Sequence, residues 1–143
     1  MSSCVICERE AADEEPPGGW VLRTDLWSAC VAPDFEVPGW LFLELRRHAE
    51  GPMAMDDAEA GELGVLLARL TAGIQAATGA ERVYVVAFGE LFPHFHLLLM
   101  PRMPMAPDDE RGPALFLKRT ELVDPPVAYD TAARVCAAVS SMP

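Results

Sequence analysis

The run Pro93-His94-Phe95-His96-Leu97-Leu98-Leu99-Met100-Pro101-Arg102 constrains this chain more than any other. On a strand, residues two apart share a side. His94, His96 and Leu98 therefore fall on one face, and Phe95, Leu97 and Leu99 on the other. A strand that is apolar on one face and carries two imidazoles on the other belongs inside a sheet with its Phe95 face covered. A cover is present in the sequence: Asp56 and Glu59 have the spacing of a capping pair, Leu63, Leu66, Leu67, Leu70 and Ile74 recur at helical spacing, and Gly79 is a natural stop.

The neighbours of that strand follow from turn residues and β-branched or aromatic runs. Residues 82–88 read as its antiparallel partner across a turn at Gly89-Glu90, and Pro101 should close the strand because it cannot donate to a ladder. Residues 40–45, after the Pro38-Gly39 turn, read as a central strand ending at Arg46-Arg47-His48. Residues 20–32 read as two short antiparallel strands. Residues 8–19, rich in charge, proline and glycine, read as a surface loop, as do residues 103–113; residues 114–119 suggest a short edge strand. Asp130 is a candidate cap for a last helix with Ala132, Val135, Cys136 and Val139 on one apolar stripe. The expectation is an α+β domain: an antiparallel sheet of about five strands with a long helix on one face and a C-terminal helix.

The chain has 143 residues, room for one proper core, so residues 1–143 are read as one domain, with the motifs within residues 4–102 and a C-terminal loop and helix over 103–143. With 51% hydrophobic and 23% charged residues the composition is globular. A formal charge of −11 repels polyphosphate backbones and anionic membranes at long range, so nucleic acid and lipid surfaces are not expected as partners. A compact anion is still allowed, because local donors, a metal or backbone amides overrule the summed field at short range. The acidic N-terminus has no cationic start followed by an apolar run, which suggests the cytoplasm.

No Walker-type or dinucleotide glycine-rich loop is present, so chemistry falls to histidine and cysteine. The only histidines are His48, His94 and His96. Paired histidines on a strand can simply hydrogen-bond neighbouring carbonyls, and a Cys-x-x-Cys near a terminus is often two free thiols. Cys4-x-x-Cys7, however, has zinc-knuckle spacing, and His48 and His94 are available to complete a four-ligand tetrahedral site.

Residues 38–50, PGWLFLELRRHAE, followed by the leucine-periodic helix and then PHFHLLLMPR at 93–102, resemble the histidine-triad (HIT) family pattern of a PGH turn, strand, RH, helix and H-x-H-x-H ending in PR. The resemblance also extends to the related galactose-1-phosphate uridylyltransferases. It implies a HIT-like fold and a structural zinc held by Cys4, Cys7, His48 and His94. It further implies His96 as the nucleophile that attacks the α-phosphate of a nucleotide or dinucleoside polyphosphate to form a nucleotidyl-histidine. Family members are commonly homodimers, and the resemblance alone carries that expectation. Backbone N–H groups from Gly89, Glu90, Leu91 and Phe92 are candidates to meet phosphoryl charge, with Arg102 or Arg46 further out.

The pattern is incomplete. Leu98 stands where the third motif histidine would donate to the leaving group. PGH is Pro38-Gly39-Trp40, the expected upstream Asp falls at Ala32 and the expected Asn at Ala87. The expected function is therefore a nucleotidyl hydrolase or transferase, with a non-catalytic zinc domain that binds a phosphorylated ligand or a protein as the alternative. A plain zinc-stabilised interaction domain is a third reading.

Overall fold

The computed structural model describes residues 3–143; the first two residues of the unit expected over 1–143 lie outside the described residues. The elements run α1 (Val5–Ala12), β1 (Leu22–Arg23), β2 (Trp27–Val31), β3 (Leu41–Leu45), α2 (Asp57–Thr78), β4 (Arg82–Val86), β5 (His96–Arg102), α3 (Pro113–Leu117) and α4 (Pro125–Ser140). Single 3-10 turns lie at Pro52–Ala54 and Asp108–Glu110.

Among the described residues the five strands form one antiparallel sheet in the order β1-β2-β3-β5-β4. Its apolar face carries Leu41, Leu43, Leu45, Phe95, Leu97 and Leu99 and packs on Leu66, Leu70 and Ile74 of α2. α2 begins at the expected capping box, where Asp56 accepts from the Glu59 N–H at 2.8 Å, and ends at Gly79 with φ +74°, a left-handed cap that suits glycine. Trp27 meets Phe95 edge-on at 5.9 Å and donates its indole N–H to the Glu59 carbonyl at 3.1 Å. α4 lays Ala128, Ala132, Val135 and Val139 on the same core.

The other face is split. α1 covers one end of it, and α3 caps a second cluster of Phe35, Trp40, Phe42, Leu98, Met100 and Leu115 toward the other. Together, α2 with α4 on one side and α1 with α3 on the other make the sheet the middle layer.

Four local expectations are corrected. Residues 8–19 are not all loop: α1 runs to Ala12, and only Ile6 in it is buried, so no apolar stripe announces it. Charge docks it instead. Arg9 pairs with the fully buried Glu44, and Glu10 accepts from Ser28 (2.9 Å), Arg23 (2.8 Å) and Arg46 (3.0 Å).

The segment after Gly112 is the helical turn α3 rather than an edge strand, with Pro113 at its first position, where a missing N–H costs nothing. α4 starts earlier than Asp130: Asp124 caps it, and Pro125 and Pro126 occupy its first turn. β5 starts at His96 and continues through Pro101 to Arg102. The Leu45 N–H donates to the Phe95 carbonyl and the Glu81 N–H to the Arg102 carbonyl, so odd-numbered residues of β5 face β3 and even-numbered ones face β4. Pro101 faces the β3 side beyond that strand's last pair, Leu41 with Leu99, where no donor is needed. Gly39, at φ +83°, passes so close that a Cβ there would stand 2.8 Å from the Pro101 ring.

Candidate metal centre and active site

α1 has Cys4 as its N-cap: the Cys7 N–H donates to the Cys4 sulfur at 3.4 Å, so one helical turn places both sulfurs on the same side. His48 follows the end of β3 and His94 precedes β5; these strands are neighbours in the sheet, which brings the two imidazoles together. The four donor atoms lie within 4.8 Å of one another. His94 Nδ1 stands 3.3 Å from Cys4 Sγ, 3.4 Å from Cys7 Sγ and 3.2 Å from His48 Nδ1, and His48 Nδ1 is 3.3 Å from Cys7 Sγ. Donors at bond lengths of about 2.0–2.3 Å around a tetrahedral ion stand roughly 3.3–3.8 Å apart. A Cys₂His₂ set at this spacing fits zinc.

The outer contacts suit the same role. His94 donates its Nε2–H to the Leu45 carbonyl, which fixes the tautomer and turns the Nδ1 lone pair toward the sulfurs. His48 Nε2 lies 3.6 Å from the Glu50 carboxylate. Burial holds His94 below the ordinary histidine value and therefore neutral, the form that ligates metal. Burial and the adjacent Cys4 sulfur push the Cys7 thiol up to about 11; a divalent cation reverses this balance and takes sulfur as thiolate.

Two residues on, His96 is 9% exposed and lines a cavity of ≈ 310 Å³. Its Nδ1–H donates to the His94 carbonyl at 2.8 Å, which assigns the proton to Nδ1. Nε2 has no protein partner among the described residues and keeps its lone pair. Burial lowers the pKa of His96 from its ordinary value, against the opposing effect of the carbonyl, so the ring is neutral near pH 7. Phe42 stacks on the imidazole at 4.3 Å and Phe92 meets it edge-on at 5.9 Å.

The other expected site residues divide. Gly89, Glu90, Leu91 and Phe92 line the His96 cavity. Arg102 does not: it lies at the far end of β5, six residues and about 20 Å along the strand, ion-paired with Glu81. Arg46 is engaged by Glu10 and by the Thr24 carbonyl at 2.8 Å. Leu98 is 4% exposed in the cavity wall on the His96 face. Ala32 is sealed within the aromatic cluster, and Ala87 is exposed just after β4. The sequence reading missed Phe35, Phe42, Val86, Phe88, Phe116 and Arg119, which complete the lining. The nearest signal was the aromatic and basic run Phe116-Leu117-Lys118-Arg119, which reads equally well as an edge strand.

No protein-family model and no curated protein matches the sequence. Solved structures do match. A hypothetical histidine triad nucleotide-binding protein from Sulfolobus tokodaii is 15% identical, with 96% of this chain and 92% of that one covered and a TM-score of 0.75. A Zn-bound histidine triad family protein from Mycobacterium smegmatis is 15% identical over 96% and 94% of the two chains, TM-score 0.70. A histidine triad protein from Sinorhizobium meliloti is 23% identical over 91% and 93%, TM-score 0.68. At these identities the likeness is one of architecture, and the five-stranded antiparallel sheet with its helices is the fold of histidine triad proteins.

Proposed function

We propose that this chain is a nucleotide-binding, zinc-stapled hydrolase or transferase that uses His96 as nucleophile at the α-phosphate of a nucleotide or dinucleoside polyphosphate. One observation carries the reading: the His96 Nδ1–H···O=C bond to His94 at 2.8 Å leaves Nε2 as a neutral, aimed lone pair in a cavity large enough for part of a ligand. In the first step Nε2 attacks phosphorus, a P–N bond forms, the bond to the leaving group breaks, and the leaving group departs with its electron pair. The charge gained by the ring is shared through Nδ1–H with the His94 carbonyl. In the second step water, or another acceptor, attacks phosphorus and gives up a proton to solvent, and the P–N bond breaks to restore neutral His96. Backbone N–H groups of residues 89–92 are the candidates to meet charge on the phosphoryl oxygens.

In the same proposal Cys4, Cys7, His48 and His94 hold one structural zinc, which supplies rigidity rather than chemistry. Through these four ligands the start of α1 would be tied to the segment before β5, fixing the His94 carbonyl that orients His96. The protein acts as one unit, and a homodimer is proposed from the fold alone.

Intact-mass measurement after incubation with a dinucleoside polyphosphate tests the mechanism. A nucleotidyl adduct or turnover is expected, and both should vanish in His96→Ala. Leu98 in the cavity wall favours a second reading, binding without turnover; retained affinity with no adduct and no product would select it. Metal analysis tests the centre. About one zinc per chain is expected, and Cys4→Ser should release it and lower the thermal midpoint by several degrees or more; a metal-free wild type of equal stability removes the claim.

A further inference from the structure

Five of the six phenylalanines in the chain, Phe35, Phe42, Phe88, Phe92 and Phe116, line the cavity beside His96. The polar side chains in that lining are His96, Glu90 and Arg119. Glu90 is exposed, and Arg119 is the one lysine or arginine in the lining.

Among the arginines without an ion pair (Arg69, Arg82, Arg111 and Arg119, among the described residues), only Arg119 lines this cavity and lies against its phenylalanine rings. The neighbouring Lys118 is paired with Asp109 at 2.7 Å and Glu110 at 3.3 Å. Arg119 makes no ion pair among the described residues. Its guanidinium lies 4.4 Å from the Phe116 ring centre and 5.6 Å from that of Phe35, and Nη1 donates to the Phe116 carbonyl at 3.0 Å. Aromatic contact and a carbonyl hold the planar group in place, and most of its five N–H donors are left unspent. A positioned, weakly hydrated fork of donors is matched to a phosphoryl or carboxylate group. Leu98 offers no donor in the same cavity, and no hydroxyl or amide side chain lines it to read a sugar.

We propose that Arg119 is the anion-binding residue of the His96 cavity, and that the ligand joins a phosphoryl group, held by Arg119, to a flat aromatic group seated among the phenylalanines. The proposal rests on the function given above and names a residue and a ligand shape for it. Recognition of the organic part is by stacking, so a free base or nucleoside enters the same cavity with less affinity than its phosphate.

Calorimetric titration of the zinc-loaded protein with adenosine 5′-monophosphate and with adenosine tests this. The wild type should bind the monophosphate at least about tenfold more tightly, the scale of one charge-assisted contact. Arg119→Gln should bind both within a factor of about two, with a near-ultraviolet circular dichroism spectrum matching wild type as the sign of an intact aromatic cavity, and Arg119→Lys should fall between. A wild type without the preference, or Arg119→Gln that keeps it, overturns the assignment; in the latter case the His96 function still stands. A wild type that binds neither probe overturns the assignment, while the nucleotidyl adduct and its loss in His96→Ala decide the His96 function separately.

Discussion

At the scale of single residues, Leu98 has the largest consequence for the chemistry. It shares a face with His96, is buried in the cavity wall and cannot give up a proton. If His96 displaces a group from phosphorus, that group leaves as an anion without help. Substrates with acidic leaving groups, such as pyrophosphate or 4-nitrophenolate, should react faster than those with alkoxide or amine leaving groups. In a series of nucleoside phosphate esters the adduct-forming rate should fall about tenfold or more as the leaving group becomes basic. A flat series means that some other group supplies the proton.

At the scale of elements, the two faces of the sheet are held by different physics. α2 is docked by hydrocarbon: Leu70 is fully buried at its centre, between the sheet and α4. Leu70→Ala should cost about 2–5 kcal/mol in urea unfolding with little change in the slope, the usual scale for a buried leucine cavity. α1 is docked by charge and by sulfur donors. The buried Glu44 has its pKa raised by burial, with Arg9 beside it working the other way, and Cys30 donates weakly to it at 3.8 Å. Such a pair contributes little net stability compared with a hydrophobic pair, yet leaves a costly orphan if either partner is lost. It specifies where α1 sits and hence where Cys4 and Cys7 sit.

For the molecule as a whole, acid is the condition that should loosen this arrangement. Glu10 joins α1 to β1, β2 and the end of β3. Its burial raises the pKa, but hydrogen bonds from Arg23, Arg46 and Ser28 outweigh that and leave it below the ordinary carboxylate value. The unfolded chain then binds the proton more readily than the folded one. The contribution is full above the ordinary value of roughly 4.3 and is lost as pH falls through the lower, folded value. Glu10→Gln should therefore unfold more easily than wild type at pH 7, and the gap should close in acid. Denaturant midpoints measured from pH 7 down to pH 3 check this; a constant gap refutes it. Among the described residues no helix is long and apolar enough to cross a membrane.

What the sequence alone determined is what local periodicity encodes. Alternation along residues 94–100 separates the His96 face from the Phe95 face, and the leucine spacing of α2 with its capping box supplies the cover for the latter. The antiparallel α+β architecture follows from these together with the turn residues between strands and the family resemblance, and Cys4, Cys7, His48 and His94, whose types and number fit one ion, do bring their donor atoms within 4.8 Å of one another. Tertiary structure alone decided the rest. α1 has no apolar stripe, so its helicity shows only when Arg9 and Glu10 meet their partners across the sheet. Arg102 looked like a site residue from its motif, but six residues of strand carry it to the other end of β5 and Glu81 takes its charge. Arg119, distant in sequence, enters the cavity because α3 folds back over the aromatic face. Spacing reports which side chains share an element's face; which elements close around a cavity depends on long-range packing, and there five phenylalanines and Arg119 come together.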